Sequence, residues 1–303
     1  MRIVLVGAVE STHTAFHALL SARVPPVALV TLPREALDRH SDAVDLADLA
    51  DRAGVPLVFS TDVNTPQTLA RLRALAPDLI FVIGWSQICR AEFRSLARYG
   101  CIGFHPSALP RLRGRAVIPW TILTRQDTSG STFFFLNEGV DSGDIIAQSL
   151  FSLDEQETAR TLYDKHLASI ATLLPEIVSQ FEQQNPRRVP QDESSASYCA
   201  RRGPEDGLID WRAGADDILR LIRAVGDPYP GAFTRHGASR IRIDEARPYD
   251  GGMRFIGLPG QIQAYSPEGP VVLCGDDRCI QVSKWQSEGL KRPPRHAVFG
   301  RDC

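Results

Sequence analysis

Short apolar runs recur through the first half of the chain, each bounded by turn residues and followed by a stretch of helical period. The runs are Ile3 to Val6, Val27 to Thr31, Leu57 to Phe59, Leu79 to Ile83, Ile102 to Phe104 and Thr132 to Leu136. Strands alternating with helices in this way predict a parallel sheet covered by helices. Leu69, Leu72 and Leu75 follow Asn64-Thr65-Pro66, a capped helix start with proline in the first turn, and that helix must end before Pro77. A longer helix is predicted over about Glu155 to Glu182, where Leu162, Leu167, Ile170, Leu173, Leu174, Ile177, Val178 and Phe181 form one apolar face.

The pattern then changes. Residues 186–205, rich in proline, arginine, serine and glutamine, carry no sustained apolar period and read as a linker between a domain of residues 1–185 and a second of 206–303. In the second, Ile218, Leu219, Leu221, Ile222 and Val225 predict one short helix. Alternating segments at Ile241 to Ile243, Gln261 to Ala264, Val271 to Cys274 and Cys279 to Lys284, with a turn at Gly275 to Arg278, predict a small, mainly-β, barrel-like domain.

A length of 303 residues suits two domains, and 34 basic against 36 acidic residues give bulk charge no preference for a polyanion. No apolar run approaches the roughly 18 residues of a membrane span, and the start is too short in apolar residues for a signal peptide, so a cytoplasmic location and no membrane partner are expected. The six cysteines include no Cys-x-x-Cys pair and no zinc-like spacing with histidine, so no metal is expected and free thiols are. Cys274 and Cys279 flank the predicted hairpin, where a cytoplasmic setting would keep them reduced. The turn Gly7-Ala8-Val9-Glu10-Ser11-Thr12 lacks the G-x-G-x-x-G spacing of a dinucleotide site, which disfavours a nicotinamide cofactor.

The chemistry-bearing segment runs from Gly103 to Asp144. It contains His105-Pro106-Ser107, Leu109-Pro110, Arg113-Gly114-Arg115, Pro119-Trp120, Gly130-Ser131-Thr132, Asn137-Glu138-Gly139-Val140 and Asp141-Ser142-Gly143-Asp144. A histidine before proline is, by itself, a turn residue. In this order the motifs resemble the formyltransferases that use 10-formyltetrahydrofolate, in which the histidine of an HPS-type turn and the first aspartate of a DSGD-type loop do the chemistry. The second half carries a more local resemblance, through Tyr198, Arg201-Arg202, Pro204 to Gly207, Ile209-Asp210-Trp211, Arg223-Ala224 and Pro228 to Ala232, to the barrel domain of the amino-sugar and methionyl-tRNA formyltransferases.

The resemblance implies an α/β fold: a Rossmann-like parallel-sheet formyltransferase domain followed by an OB-like barrel. It implies His105 and Asp141 as catalytic residues, with Gly103 standing where the family carries an asparagine. The implied co-substrate is 10-formyltetrahydrofolate, contacted by Trp85, Ser86, Gln87 and Ile88 and by Asn137, Gly139, Val140 and Asp141. Glu10, Ser11 and Thr12 are implied at the acceptor cleft, and Arg113 and Arg115 could hold a nucleotide phosphate through forked hydrogen bonds. Formyl transfer passes through an oxyanionic tetrahedral intermediate, so it needs a base for the amine and donors for the oxygen. Glycine at 103 leaves a space in which water, Gln87 or the substrate could supply the donor.

The loop from Thr31 to Ala50 sets Arg34 and Arg39 against Glu35, Asp38, Asp42, Asp45 and Asp48, a balance that repels RNA and favours a small acceptor, a nucleotide-linked amino sugar. Two alternatives stand beside that expectation: a noncatalytic folate- or sugar-nucleotide-binding protein, given Gly103, and a methionyl-tRNA formyltransferase. The sequence leaves an oligomer open.

Overall fold

The structure, a computed structural model, describes residues 1–39, 41–287 and 292–300. It contains two compact units. One comprises Met1–Val117, Asp127–Leu153 and Leu162–Ala200, the other Ile118–Gln126, Asp154–Thr161 and Arg201–Cys303. The segment 186–205, expected as a linker, is therefore divided at Ala200, and its first part is hydrogen-bonded into the first unit.

The chain order is β1 (Ile3–Val6), α1 (Glu10–Ser21), β2 (Ala28–Thr31), α2 (Ala47–Arg52), β3 (Leu57–Phe59), α3 (Pro66–Ala74), β4 (Leu79–Val82), α4 (Ala91–Arg94), β5 (Cys101–His105), β6 (Arg113–Gly114), α5 (Val117–Leu123), β7 (Thr128–Phe135), β8 (Ile145–Ser152), α6 (Ala159–Glu182) and β9 (Tyr198–Cys199). The main sheet has the order β3-β2-β1-β4-β5-β7-β8. Its strands from β3 to β5 are parallel, whereas β7 runs antiparallel to β5 and β8 antiparallel to β7. The two faces share the apolar runs by alternation. Ile3, Leu5, Leu79, Phe81, Ile102, Phe133 and Phe135 pack with Phe16 and Leu19 of α1 and with Ile170, Leu174, Ile177 and Phe181 of α6. Val4, Val6, Val30, Ile80, Val82 and Cys101 pack on the other face with Leu69 and Leu72 of α3 and Phe93 of α4. The start of α3 is capped as its sequence predicts: Thr65 accepts from the Thr68 N–H and Pro66 occupies the first turn.

In the second unit, α7 (Ala215–Val225) precedes β10 (Ala232–His236), β11 (Ser239–Pro248), β12 (Ile262–Tyr265), β13 (Pro270–Leu273) and β14 (Cys279–Ser287). These strands form an antiparallel sheet of order β10-β11-β14-β13-β12. Cys89, Cys101, Cys199, Cys274 and Cys279 are free thiols; Cys303 lies outside the described residues.

One buried group makes stability depend on pH. His166 of α6 is 2 % exposed, its Nδ1 lies 2.8 Å from Ser131 Oγ, and its Nε2 has no hydrogen-bond partner among the described residues. Burial, with smaller repulsion from His105 and Lys165, pushes its pKa down to about 3. An unfolded histidine takes up a proton below about pH 6.5 whereas the folded one stays neutral, so protonation draws the chain toward unfolding as pH falls, at roughly 1.4 kcal/mol per pH unit. The loss runs from about pH 6.5 down toward the folded value of about 3. His166→Gln should flatten the fall in melting temperature between pH 7.5 and 5; parallel curves for variant and wild type would count against this account.

Candidate active site

The carboxyl ends of β1, β4 and β5 lie side by side, because Val6 pairs with Val82 and Val82 with Gly103. Open α/β sheets bind ligands at such ends. His105 closes β5 and is 5 % exposed. Asp141 cannot reach it along a parallel strand. Phe135, at the end of β7, pairs with Ile102, whereas His105 pairs with Thr132. The loop of residues 137–144 must therefore fold back by about 10 Å, the rise of three strand residues.

Local bonds wind that loop. Asn137 Oδ1 accepts from the Gly139 N–H at 3.0 Å and the Ser142 hydroxyl at 3.1 Å. At Gly143 a Cβ would fall 1.7 Å from the Phe135 carbonyl oxygen, so only glycine permits the approach. Asp141 takes a left-handed φ of 50°, which aspartate tolerates better than most residues and which often marks a functional position. Asp144 faces outward to Arg188 at 3.8 Å, a structural ion pair.

The pair has a defined hydrogen-bonding sense. His105 Nε2 lies 2.8 Å from the Leu112 carbonyl oxygen, which only accepts, so Nε2 carries the hydrogen. Nδ1 then faces Asp141 Oδ2 at 3.5 Å, within ion-pair range and longer than a good hydrogen bond. The same Oδ2 accepts the Gly114 N–H at 2.8 Å. Gly114 has φ of 101°, and a Cβ there would lie 2.6 Å from the Cys199 carbonyl oxygen. The Asp141 side chain remains 23 % exposed, so the carboxylate, rather than the enclosed imidazole, meets solvent. The turn after His105 is held by Thr132, whose hydroxyl donates to the Ser107 carbonyl at 2.7 Å and accepts from the Gln148 amide at 2.8 Å.

Several expected site residues are placed differently. Arg113 is fully buried and holds Glu193 through both terminal nitrogens, at 2.7 and 2.8 Å; that carboxylate raises the guanidinium pKa and is itself lowered. It is thus committed inside the protein and cannot grip a phosphate, whereas Arg115 is exposed. Thr12 is buried, donating to the Ile83 carbonyl at 2.7 Å and accepting from the Val9 N–H, so it ties the start of α1 to the chain leaving β4; Ser11 is also buried, and Glu10 alone of the three is partly exposed. Gln87 is bonded through its amide to Thr61 and Val63, away from any role beside Gly103. The space at Gly103 is not open: a Cβ there would meet Leu136 Cδ2 at 2.6 Å and the Phe134 ring at 3.1 Å.

Trp85 packs on the cluster of Ala8, Leu32 and Ala36, and its Nε1 has no hydrogen-bond partner among the described residues. Ser86 is exposed. Ile88 and Val140 are 73 % and 51 % exposed, two large apolar side chains presented by the two loops expected to contact folate. Asn64 steadies the first of these loops, donating to the Ile88 carbonyl at 2.9 Å and accepting from the Arg90 N–H at 2.8 Å. Asn64 was legible only as a helix-start residue. Gln191, Glu193 and Ser197, whose hydroxyl accepts the Leu112 N–H at 2.9 Å, were missed because they sit in a stretch with no apolar period. Among the described residues no group of three or more His, Cys, Asp or Glu is placed to hold a metal ion, and no helix is long and apolar enough to cross a membrane.

With this geometry in view, residues 20–178 match the family Formyl transferase, and residues 202–299 match Formyl transferase, C-terminal domain. The chain belongs to the formyltransferase family. It is 34 % identical over 297 residues to a methionyl-tRNA formyltransferase of Akkermansia muciniphila, covering 96 % of this chain and 94 % of the relative. Solved structures share the fold of this formyltransferase at lower identity. The sugar 3N-formyltransferase WlaRD, solved with dTDP and 5-N-formyl-THF, aligns at 18 % identity and TM-score 0.66, covering 93 % of this chain and 97 % of its own. The N-formyltransferase of Helicobacter canadensis, solved with folinic acid and dTDP-3-aminofucose, aligns at 19 % identity and TM-score 0.66, covering 93 % and 99 %.

Proposed function

We propose that this formyltransferase moves a formyl group from 10-formyltetrahydrofolate to a primary amine, and that Asp141 and His105 handle the amine proton. The observation that carries the reading is the partly exposed Asp141 carboxylate, held by the Gly114 N–H and backed by His105 Nδ1, whose partner nitrogen is tied to Leu112. The amine nitrogen attacks the formyl carbon, giving a tetrahedral oxyanion, and loses a proton to Asp141, which can pass it to Nδ1. Once both ring nitrogens carry hydrogen, one donates to the Leu112 carbonyl and the other to the carboxylate. Return of that proton to the folate nitrogen accompanies cleavage of its bond to the formyl carbon, leaving tetrahydrofolate and the formamide. Ile88 and Val140 supply apolar surface for the flat pterin, as binding sites for such ligands commonly do, and the folates in the solved sugar formyltransferases support the same donor.

For the acceptor, the relative of higher sequence identity, 34 % against 18 and 19 % for the two sugar-type structures, carries more weight, and it favours methionyl-tRNA. Commitment of Arg113 to Glu193 also removes one of the two arginines on which a nucleotide-sugar reading leaned. A small amine, such as a nucleotide-linked amino sugar, is favoured by the acidic stretch from Thr31 to Ala50, whose Arg34 is paired with Asp45 at 2.6 Å. Tetrahydrofolate release should be measured with methionyl-tRNA and with nucleotide-linked amino sugars in parallel. Turnover is expected with the tRNA; turnover with a nucleotide sugar alone would reverse the choice, and release with neither would defeat the amine-transfer reading.

A further inference from the structure

We propose that Gln191 is a positioning residue for Asp141. The idea rests on the catalytic reading of Asp141 above, and it comes from a segment that carries no recognisable pattern. The bonds inside the loop of residues 137–144 stop at Asn137, Gly139 and Ser142. The carbonyls of Asp141 and Gly143 accept from the Gln191 amide nitrogen instead, at 2.8 and 2.7 Å. Both amide hydrogens are thereby used, on the carbonyl of Asp141, the residue of left-handed φ, and on that of Gly143 two positions later.

The orientation of that amide is set by charge. Its oxygen accepts from Arg113 Nε at 3.2 Å and Nη2 at 2.8 Å. Arginine only donates, so the oxygen must face Arg113 and the nitrogen must face the loop. Arg113 in turn is held by both oxygens of Glu193 and by the Tyr198 hydroxyl at 2.9 Å, while its backbone pairs with Tyr198 in the β6–β9 ladder. The next residue, Gly114, pairs with Cys199 and donates to Asp141 Oδ2. Residues 191–199 therefore hold Asp141 twice, its main chain through Gln191 and its carboxylate through Gly114. A shift of either anchor moves the carboxylate relative to His105, and about 1 Å of misplacement can cost a hundredfold in rate.

Gln191→Glu is the discriminating variant. It keeps the shape and the acceptor toward Arg113, but sets a carboxylate oxygen against the Asp141 and Gly143 carbonyls. With the acceptor that the wild type turns over, Gln191→Glu and Gln191→Ala should each lower kcat by about tenfold or more, with a smaller change in either KM and a shifted pH profile of kcat. In an Asp141→Asn background, Gln191→Glu should change the residual rate by less than about twofold, because residues acting as one unit are not additive. Wild-type kcat in Gln191→Glu, or an equal fold-loss in both backgrounds, would overturn the proposal. Wild-type turnover in Asp141→Asn alone would instead defeat the catalytic reading beneath it. Should Gln191→Ala fail to fold, the glutamate variant and its double-mutant comparison decide.

Discussion

Asp141→Asn should lower turnover by on the order of a hundredfold or more while leaving the fold intact, as expected for the loss of a positioned proton-transfer group. The substitution is chosen for what it keeps. Asparagine tolerates the left-handed φ of 50° and can still accept the Gly114 N–H through its side-chain oxygen. What it cannot do is take a proton from the amine. His105→Ala should cost a similar factor, since it removes the ring nitrogen facing Asp141 at 3.5 Å. The double variant should be little worse than the weaker single one if the two act as one device. Steady-state kinetics with unchanged thermal melts is the measurement; wild-type turnover in either single variant would sink the assignment.

Gly103→Asn should lower both stability and turnover. The family-like asparagine finds a crowded place in this chain, because Leu136 Cδ2 would lie 2.6 Å from its Cβ and have to move, and the Phe134 ring would press on it at 3.1 Å. Phe134 is buried and cannot retreat cheaply, so the added atoms overpack the core at a cost of about 1 to 3 kcal/mol. Displacing Leu136 also disturbs the loop that follows it and carries Asp141, for a loss of on the order of ten- to a hundredfold in turnover. Leu136→Ala added to Gly103→Asn should relieve the clash and recover stability. If the single variant melts like the wild type and turns over faster, the steric account is wrong and a missing oxyanion donor was the real deficit.

The two variants mark different depths of legibility. The buried strands were readable because their apolar runs answer to local rules. Ile3 to Val6 and Leu57 to Phe59 fall where the pattern put them, and Thr65 caps α3 as its type demands. β8 and β10 were not delimited, since an edge strand such as β8, with Leu150 exposed and polar residues between, has no uniform face. The candidate catalytic pair was legible from motif order, but its route was not. Antiparallel β7 sends the chain to the wrong end of β5, and only the returning loop brings Asp141 to His105.

By itself, then, the sequence determined the α/β domain and the mainly-β unit after it, and it offered His105 and Asp141 as candidates to move a proton, because periodicity and side-chain chemistry are local properties. Tertiary structure decided which charges are free. Arg113 reads as a phosphate ligand on a glycine-kinked loop, yet it is buried against Glu193, Gln191 and Tyr198, roughly eighty positions downstream. It also decided that Gly103 is filled and that a polar stretch resembling a linker braces Asp141. A buried donor must find its acceptors wherever the fold brings them, and no local pattern records contacts made at that separation.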